Sequence, residues 1–299
     1  MSRVPRITVA IPFFDEEPWL AAAIRAVLAQ TMRDFELLLV DDGSRDRSLE
    51  IARSFADPRI VVVSDGQRRH LPARLNEIAR RARAPLVARM DADDVVHPER
   101  LARQLALLDS GPHLDAVGTW LGLIGADGEV FGVVESVRLP APPSTALERA
   151  LLPHASLLAR RSWLLEHPYD ETLTRAEDRD LWCRTVASAR LAAVPLPLYV
   201  VRITARDERF IEDYVEAQRQ NRTLYRRYGP SLVGWPRTAR LSLESLAKAS
   251  VMRLATAIGS ADRLVRRRGR SPTSEERRWI DEALASGRGE PHPQGDQRA

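Results

Sequence analysis

The sequence is poor in cysteine, in lysine and in long apolar runs. Its single cysteine, Cys183, excludes an internal disulfide and fits a reducing compartment, so we expect a cytoplasmic location. No apolar run reaches the length of about 18 residues that is typical of membrane-spanning helices. The first residues do not follow the pattern of a secretory signal peptide either. We therefore expect neither a spanning helix nor a secretory leader.

Glycine-rich phosphate loops are also absent. Neither G-x-x-x-x-G-K-[ST] nor G-x-G-x-x-G occurs, so a bound nucleotide would depend on a metal ion and on arginines. A nucleotidyltransferase typically carries a glycine-rich loop and a lysine after its first strand. Here that position is Phe13–Glu17, and the only lysine is Lys248. This enzyme class therefore remains a weak alternative.

Positive charge is concentrated near the C-terminal end. Residues 236–299 contain 13 Lys and Arg against 8 Asp and Glu, a net charge of +5, whereas the whole chain has +4. Residues 1–235 are therefore close to −1 (+4 minus +5). Because the excess lies in one region, a globally basic nucleic-acid-binding protein is not indicated, and we expect no nucleic-acid partner.

The basic C-terminal region has the spacing of an amphipathic helix. Leu241, Leu246, Leu254 and Ile258 follow one face, and the arginine-rich run 263–270 lies near its end. Such an end is typical of proteins that make peripheral contact with an anionic membrane. We expect this contact at the inner face of the membrane. A helix packed on the rest of the protein, with solvated arginines, is the alternative.

Strand and helix patterns alternate over the first third of the chain. The predicted strands are Ile7–Ile11, Glu36–Val40, Ile60–Ser64 and Leu86–Met90, and the predicted helices are Trp19–Gln30, Arg47–Phe55, Leu71–Ala82 and Glu99–Asp109. Repeated β-α-β units indicate an α/β fold with a mostly parallel, Rossmann-like sheet and helices on both faces.

The second half has a mixed pattern that should extend the same sheet. Ala116–Ile124 and Val130–Val134 flank a turn sequence typical of a hairpin. Asp207–Tyr228 is a charged amphipathic helix, and strand character ends after Gly229. We expect one domain over 1–230 and a helical basic extension over 231–299 with a disordered end. The domain should consist of a half at about 1–110, a half at about 111–205 and a closing helix at 207–228.

Acidic residues follow three of the predicted strands, at Asp15–Glu17, Asp41–Asp42 and Asp91–Asp94. Each cluster alone could cap the helix that follows it, because aspartate accepts hydrogen bonds from free N–H groups. The carboxyl ends of parallel strands, however, meet at one edge of the sheet. The clusters would then crowd several carboxylates into one crevice, where a divalent cation is the simplest counter-charge.

Several segments resemble, in order, the signatures of inverting family-2 glycosyltransferases. They read VAIPFFDEE, FELLLVDDGSRDRS, VARMDADDVVHPERL, PHASLLARRSWL, EDRDLW and PLYVVR, and they cover about residues 4–205. Each short motif is common alone, but their order and spacing are specific. The resemblance implies a GT-A fold with a helical C-terminal extension. It also implies metal-dependent transfer of a sugar from a nucleoside-diphosphate sugar to a hydroxyl group, with inversion.

The resemblance assigns the nucleotide part of the donor to the first half of the chain. The backbone at Pro12, Phe13 and Phe14, together with Glu16, would hold the base and ribose. Asp42 would accept a hydrogen bond from the base, which favours a uracil or thymine ring and hence a UDP- or dTDP-linked donor.

The same resemblance assigns the diphosphate and the metal ion. Arg74 falls where the family often has a basic residue facing the nucleotide, with Asn76 after it. Asp91 would contact the ribose and diphosphate. Asp93 would bind Mn²⁺ or Mg²⁺, with Asp94 close by.

On the acceptor side, the resemblance implies that Asp178 is the general base. Glu177 precedes it in the same motif, and His154 falls where the family has a histidine. From the residues alone, Asp178 could instead cap a helix or pair with Arg175 or Arg179. His154 could equally be a hydrogen-bonded histidine without a catalytic role.

The chain departs from the family pattern at several positions. Asp15 replaces the usual asparagine, Ser64–Gly66 replaces a small-residue stretch, and Thr204 stands where many relatives have histidine. The Gln-x-x-Arg-Trp element of processive polysaccharide synthases is absent, which favours transfer of a single sugar. We expect a glycan or lipid-linked acceptor of the cell surface. A non-catalytic nucleotide-sugar-binding protein is the alternative from another class, against which Asp93 and Asp178 argue.

Overall fold

A computed structural model describes residues 3–111, 113–203, 208–261, 264, 266 and 268–288. Its centre is one nine-stranded sheet. The strands are β1 (Ile7–Phe13), β2 (Phe35–Asp41), β3 (Ile60–Ser64), β4 (Leu86–Arg89), β5 (Val95–Val96), β6 (Ala116–Gly125), β7 (Val130–Val134), β8 (Leu158–Arg160) and β9 (Leu191–Ile203).

Helices surround this sheet. They are α1 (Leu20–Leu28), α2 (Ser48–Ser54), α3 (His70–Arg81), α4 (Arg100–Ser110), α5 (Thr145–Glu148), α6 (Arg161–Glu166), α7 (Glu177–Thr185), α8 (Glu208–Leu232), α9 (Trp235–Ala257) and α10 (Ser274–Arg288), with a short 3-10 turn at His154–Ser156. The helices predicted before residue 110 all form, with ends shifted by one or a few residues.

The strand order is β3-β2-β1-β4-β8-β6-β9-β5, and β7 pairs with β6. The pairs β1-β2, β1-β4, β2-β3 and β6-β9 are parallel. The strands β5, β7 and β8 pair antiparallel to their neighbours. Six strands therefore point one way and three point the other, which confirms the mostly parallel α/β sheet.

Alternate side chains of each strand pack on opposite faces of the sheet. Val9 and Leu37 belong to the core formed with α1, α4 and α10, whereas Ala10 and Leu38 belong to the core formed with α3, α6 and α7. Strands buried on both faces have continuous apolar sequences, which is why β1 and β2 were recognisable as a parallel pair.

The last helix returns to the first of these cores. Ile280 and Ala283 of α10 are fully buried, and α10 packs against α1, β5 and β9. The side chain of His97, just after β5, lies 2.8 Å from Glu282 through Nε2 and contacts the ring of Trp279. The last helix of the extension expected over 231–299 therefore packs into the core of the main fold, and the division into domains stays a prediction.

The apolar face expected on the C-terminal region differs from the observed one. Leu241 is buried against the protein, whereas Leu246, Leu254 and Ile258 are exposed, so the four do not share one face. Among the described helices, none is both long and apolar enough to cross a membrane. The disordered end was expected from Gly287, but Gly287 and Arg288 are the last residues of α10. Thr204, Asp207, Arg263, Arg267 and residues 289–299 lie outside the described residues.

Candidate active site

The carboxyl ends of β1, β2 and β4 open into one cleft of about 440 Å³. Because these three strands are parallel neighbours, their ends meet at the edge where ligands bind in open α/β sheets. The residues expected to bind the donor or the metal all line this cleft: Pro12, Phe13, Phe14, Glu16, Asp42, Arg74, Asp91 and Asp93. Their individual roles stay predictions.

The acidic clusters do not cap the helices that follow them. The residues preceding α1, α2 and α4 are Trp19, Arg47 and Glu99, and none of them makes a side-chain capping hydrogen bond. Capping of the helices that follow therefore does not explain these acidic residues, although the carboxylate of Asp42 accepts the N–H groups of Arg69 and His70 at the start of α3.

The two aspartates after β2 have different surroundings. Asp41 accepts hydrogen bonds from the Ser44 N–H at 2.8 Å and from the Ser64 hydroxyl at 2.7 Å. Asp42 lines the cleft and accepts hydrogen bonds from the backbone N–H groups of residues 69–70, at 2.7 and 3.1 Å. Asp41 therefore closes the turn, and Asp42 is the carboxylate available to a ligand.

Arg74 is fully buried and bonded to the protein itself. Its Nε donates to Asp42 at 2.9 Å, Nη1 to Glu77 at 2.7 Å and Nη2 to Asp65 at 2.7 Å. The arginine thereby joins α3, the loop before it and the end of β2. Direct contact of Arg74 with a nucleotide stays a prediction, and its observed contacts orient Asp42.

Backbone geometry accounts for two residues at the mouth of the cleft. Gly43 has a φ of +78°, and a Cβ there would lie 3.0 Å from the backbone of Gln67, so the turn needs glycine. Asp15 has a φ of +54°, a conformation that asparagine and aspartate tolerate better than most residues. Its carboxylate accepts the Arg45 N–H at 2.7 Å, so aspartate fits where relatives carry asparagine.

The segment after β4 concentrates negative charge. Burial and the neighbouring Asp91 raise the pKa of Asp93 to about 6. Burial, Asp93 and Asp91 raise the pKa of Asp94 well above its ordinary value. The N–H of Arg202 donates a hydrogen bond to Asp94 at 2.9 Å, which lowers the pKa of Asp94. Burial and the repulsion from Asp93 and Asp91 outweigh this effect.

Strand β9 supports this acidic segment. The hydroxyl of Tyr199 accepts the N–H of Asp91 at 2.8 Å, and Val95–Val96 pair antiparallel with β9. The Nε of Arg202 lies 3.4 Å from the carbonyl oxygen of Asp93. The tyrosine and arginine that the sequence pattern singled out therefore hold the acidic segment in place.

The residues at this point fit a divalent metal ion that is shared with a substrate. Within the described ranges, no group of three or more His, Cys, Asp or Glu could hold a metal alone. The carboxylates of Asp91 and Asp93 nevertheless line the cleft and supply hard oxygen ligands. Mg²⁺ and chemically similar ions are commonly bound by one or two carboxylates together with substrate phosphates.

Asp178 is the second residue of α7, and neither ion pair considered from the sequence is formed. Arg175 pairs with Asp213 at 2.5 Å, and the guanidinium of Arg179 donates to the carbonyl of Leu147. The carboxylate of Asp178 accepts the Arg179 N–H at 2.6 Å and has no ion pair in the described part of the chain. It therefore keeps oxygen lone pairs available.

Glu177 and His154 form a buried pair beside Asp178. Burial and Asp178 raise the pKa of Glu177 to about 7, and burial and Arg89 lower the pKa of His154 well below its ordinary value. His154 Nε2 lies 2.8 Å from the Tyr169 hydroxyl, and Nδ1 lies 3.9 Å from Glu177. These acceptor-side residues are not among those that line the cleft, so their roles stay predictions.

Arg89, the last residue of β4, interacts both with the acidic segment Asp91–Asp94 and with the buried pair Glu177 and His154. Its side chain is only 9% exposed, lines the cleft and donates to Asp91 at 2.7 Å. Glu177 is close enough to influence its charge. Its Nε is buried without a hydrogen-bond partner in the described structure, which is rare for a buried N–H. The sequence analysis did not identify Arg89 as a site residue, because it is the last residue of a strand that was predicted to be buried in the core.

Other cleft residues also escaped the sequence analysis. The guanidinium of Arg68 lies 3.3 Å from the centre of the Phe14 ring. Helix α8 contributes acidic side chains, so the closing helix forms one wall. The additional lining residues are Arg68, His70, Leu71, Thr174, Arg175, Asp213 and Glu216. The basic cluster at 67–70 was a usable signal, whereas the contribution of α8 depends on tertiary packing.

Comparison with known proteins gives a consistent family. Residues 8–172 match Glycosyl transferase family 2, which is more than half of the chain. EpsE of Bacillus subtilis is 32% identical over 192 residues, covering 62% of this chain and 68% of EpsE. The uncharacterized glycosyltransferase MJ1057 of Methanocaldococcus jannaschii is 26% identical over 190 residues, covering 62% of this chain and 66% of that protein.

Solved structures show the same fold at low sequence identity. A structure of S. aureus TarS 1-349 with UDP-GlcNAc has a TM-score of 0.60 at 17% identity, covering 94% of this chain and 80% of that chain. The mannosyltransferase PcManGT of Pyrobaculum calidifontis with GDP-Man and Mn²⁺ has a TM-score of 0.57 at 18% identity, covering 96% of this chain and 87% of that chain. The chain therefore belongs to glycosyl transferase family 2 and has the GT-A fold.

Proposed function

We propose that this glycosyltransferase moves a single sugar from a UDP- or dTDP-linked donor to a hydroxyl of a cell-surface glycan or glycolipid, with inversion. The observation that carries the proposal is the cleft at the ends of β1, β2 and β4, where the residues expected to bind donor and metal share one space. The UDP-GlcNAc bound to TarS and the GDP-Man bound to PcManGT support a nucleoside-diphosphate sugar as donor, and the choice of a UDP- or dTDP-linked donor depends on Asp42.

Asp42 has capacity to read the base. A carboxylate offers about four lone-pair sites, and Asp42 accepts three hydrogen bonds, from Arg69, His70 and Arg74. One site remains for an N–H of uracil or thymine. Because the protein donors fix the carboxylate, it would be oriented before the nucleotide arrives.

Asp93, with Asp91 beside it, would hold Mn²⁺ or Mg²⁺. When bound, the cation would neutralise the diphosphate as it leaves. The raised pKa of Asp93, about 6, supports this assignment, because burial and Asp91 disfavour the charged carboxylate more than Arg202 and Arg89 favour it. A bound cation would supply the additional positive charge.

Asp178 would be the general base. It would take the proton from the acceptor hydroxyl while that oxygen bonds to the anomeric carbon and the bond to the diphosphate oxygen breaks. One displacement of this kind inverts the anomeric centre. The absence of an ion pair to Asp178 in the described residues supports the role, because the carboxylate keeps lone pairs for the proton of the acceptor.

The proposal includes a cytoplasmic enzyme that works peripherally at the inner face of the membrane. A lipid-linked or growing cell-surface acceptor would be reached there. Transfer of one sugar at a time follows from the missing Gln-x-x-Arg-Trp element.

A donor screen tests the proposal. Thermal unfolding is measured with a panel of nucleotide sugars, with and without Mn²⁺, since a true donor raises the unfolding midpoint by mass action. Release of nucleoside diphosphate is then followed with candidate acceptors. We expect metal-dependent stabilisation by a UDP- or dTDP-sugar and acceptor-stimulated release.

The same screen separates the alternatives. Stabilisation by a donor without any release of nucleoside diphosphate would indicate a non-catalytic binding protein. Formation of a nucleotide sugar from a nucleoside triphosphate and a sugar phosphate would indicate a nucleotidyltransferase. No stabilisation by any nucleotide sugar, with or without Mn²⁺, would contradict the assignment of the cleft as a donor site.

A further inference from the structure

Large apolar side chains crowd the solvent-facing side of α9. Six of the nine exposed large hydrophobic residues in the described structure lie there, and they are Trp235, Leu243, Leu246, Val251, Leu254 and Ile258. At about 100° per residue, the last five fall within an arc of about 140°. Scattered apolar residues are normal on a protein surface, but a continuous row of them indicates a partner. These six residues are called the α9 stripe.

The other side of α9 is already occupied. Leu241, Ala249, Met252 and Ala255 are buried, and α9 packs along α8. The helix is therefore apolar on both sides, although only one side is needed to hold it on the protein. An ordinary surface helix has a polar outer face. Because α9 also carries Arg, Lys and Glu along its length, it is not apolar enough to span a membrane.

A cationic cleft lies beside the α9 stripe. It has a volume of about 790 Å³, and its charged lining residues are Glu148, Arg149, Arg237, Arg240, Glu244 and Lys248. Arg237 pairs with Glu148, and Arg240 lies 2.8 Å from Glu244. Arg149 and Lys248 are exposed and form no ion pair with any described residue. The cleft therefore has positive charge to offer to an anion.

Two arginines of the run that the sequence analysis favoured, Arg266 and Arg270, are paired with the protein itself. Arg266 lies 2.8 Å from Glu129, and Arg270 lies 2.6 Å from Glu135 and 2.5 Å from Glu276. These contacts fasten the chain between α9 and α10 to β7 and α10. These two arginines are therefore less available to an anionic partner than the unpaired cations beside α9.

We propose that the α9 stripe and the cationic cleft dock the enzyme on an anionic lipid surface. The apolar side chains enter the headgroup region, and the cations flanking them meet anionic headgroups. The proposal rests on the peripheral location proposed above and not on the transfer reaction.

Charge argues against a second copy of the chain as the occupant. Residues 235–257 carry four basic residues and one acidic residue, a net charge of +3. A two-fold contact through the α9 stripe would bring the same cations of both copies together, which is unfavourable. An anionic bilayer satisfies both the apolar row and the charge.

Vesicle flotation tests the proposal on the full chain, because α10 belongs to the core and a truncation would damage the fold. Phosphatidylcholine vesicles with and without phosphatidylglycerol are used, at low and moderate salt. We expect flotation with phosphatidylglycerol only. Leu254→Ser with Ile258→Ser should weaken binding by about tenfold or more. The matched control, Val61→Ser with Leu165→Ser, changes two exposed apolar residues elsewhere and should bind as the wild type does.

A second pair of variants tests the charge. Arg149→Gln with Lys248→Gln should weaken binding by about fivefold per cation at low salt, and the difference should shrink at moderate salt. Equal binding by the α9-stripe variant and the wild type would overturn the proposal. So would loss of binding confined to Arg266→Gln with Arg270→Gln. A wild-type dimer that the α9-stripe variant converts to monomer, with vesicle binding unchanged, would show instead that α9 joins two copies.

Discussion

The carboxylates in and beside the cleft differ in how far arginine compensates their charge. Hydrogen bonds from Arg74 hold the pKa of Asp65 far below its ordinary value. Burial and Asp91, by contrast, leave the pKa of Asp93 raised to about 6. A site in which only some carboxylates are neutralised by arginine is arranged for a cation at the others. Substitutions of Asp93 and of Asp178 test the roles proposed for these two carboxylates.

Asp93→Ala should leave the fold intact and remove the Mn²⁺-dependent part of donor affinity. The side chain is partly exposed and packs no core, and its loss relieves repulsion with Asp91. Titration calorimetry with UDP, with and without Mn²⁺, measures the effect. Glu50→Ala, an exposed carboxylate on α2, is the control. Mn²⁺ dependence equal to that of the wild type would exclude Asp93 as a metal ligand.

Asp178→Asn should keep donor affinity near the wild-type value and lower turnover by roughly 10²–10⁴-fold, because the amide cannot accept a proton. Donor binding and initial rates give the two quantities. Asp180→Asn is the contrast on the same helix. Asp180 is buried and bonded to Arg184 and Tyr228 at 2.7 Å each, so its change should lower thermal stability. Parallel losses of donor affinity and turnover in Asp178→Asn would indicate a structural residue.

The sequence located these acidic residues but not their partners. Asp41 and Asp42 are indistinguishable in the pattern, and only the hydroxyl of Ser64 and the guanidinium of Arg74 separate a turn-closing residue from a cleft residue. Those donors come from segments more than 20 residues away. Contacts of that kind depend on tertiary packing, which a local pattern does not contain.

Helix α10 packs on elements that are far from it in the sequence and close to the cleft. It packs on β5 and β9, the strands that flank the acidic segment after β4. Ser286 donates to the carbonyl of Val96, and Glu282 contacts His97. We infer that α10 stabilises the side of the cleft formed by Asp91–Asp94 without lining it.

Ile280→Ala should lower the free energy of unfolding by about 2–4 kcal/mol. Ile280 is fully buried, and it packs so closely on Gly122 that a Cβ there would lie 2.6 Å from its Cγ1. Leu243→Ala, which truncates an exposed residue of α9, should change stability by less than about 0.5 kcal/mol. Urea unfolding of both variants gives the comparison. Equal, small effects would mean that α10 is not part of the cooperative fold.

Element length decided which parts of the fold could be predicted. β1 to β4 were recognised because each is a continuous apolar run ended by a turn sequence. β5 has only two residues and β8 only three, and their partners β9, β4 and β6 are distant in the chain. Such short strands carry no period of their own, so the antiparallel pairs of β5 and β8 were not predictable. The antiparallel β6-β7 hairpin was predicted from its turn sequence and is confirmed.

At the scale of the whole molecule, the donor cleft and the acceptor side bury carboxylates whose charge the fold does not fully compensate. Burial and neighbouring acids raise the pKa of Asp93 to about 6 and that of Glu177 to about 7, against ordinary values of 3.8 and 4.5. Elsewhere, arginine partners lower the pKa of carboxyls, as Arg270 does for Glu276, to about 2. Stability should therefore depend on pH in two opposite ways.

The metal-free protein should reach its highest unfolding midpoint at mildly acidic pH. A carboxyl whose folded-state pKa is raised contributes stability fully below its ordinary pKa and loses it as the pH rises through the folded value, which for Asp93 and Glu177 spans about pH 4 to 7. Carboxyls with lowered pKa, such as Glu276, act oppositely and lose their contribution as the pH falls from about 4 towards 2. Calorimetric scans from acidic to neutral pH should therefore show a decline of a few degrees above the optimum.

Mn²⁺ with UDP should reverse most of that decline near pH 7, where ionised Asp93 can bind the cation, and little of it near pH 5, where a proton competes. Asp93→Ala should remove the Asp93 part of the metal-free decline, leave the part due to Glu177 and abolish the Mn²⁺ effect. A profile identical to that of the wild type would refute the assigned origin.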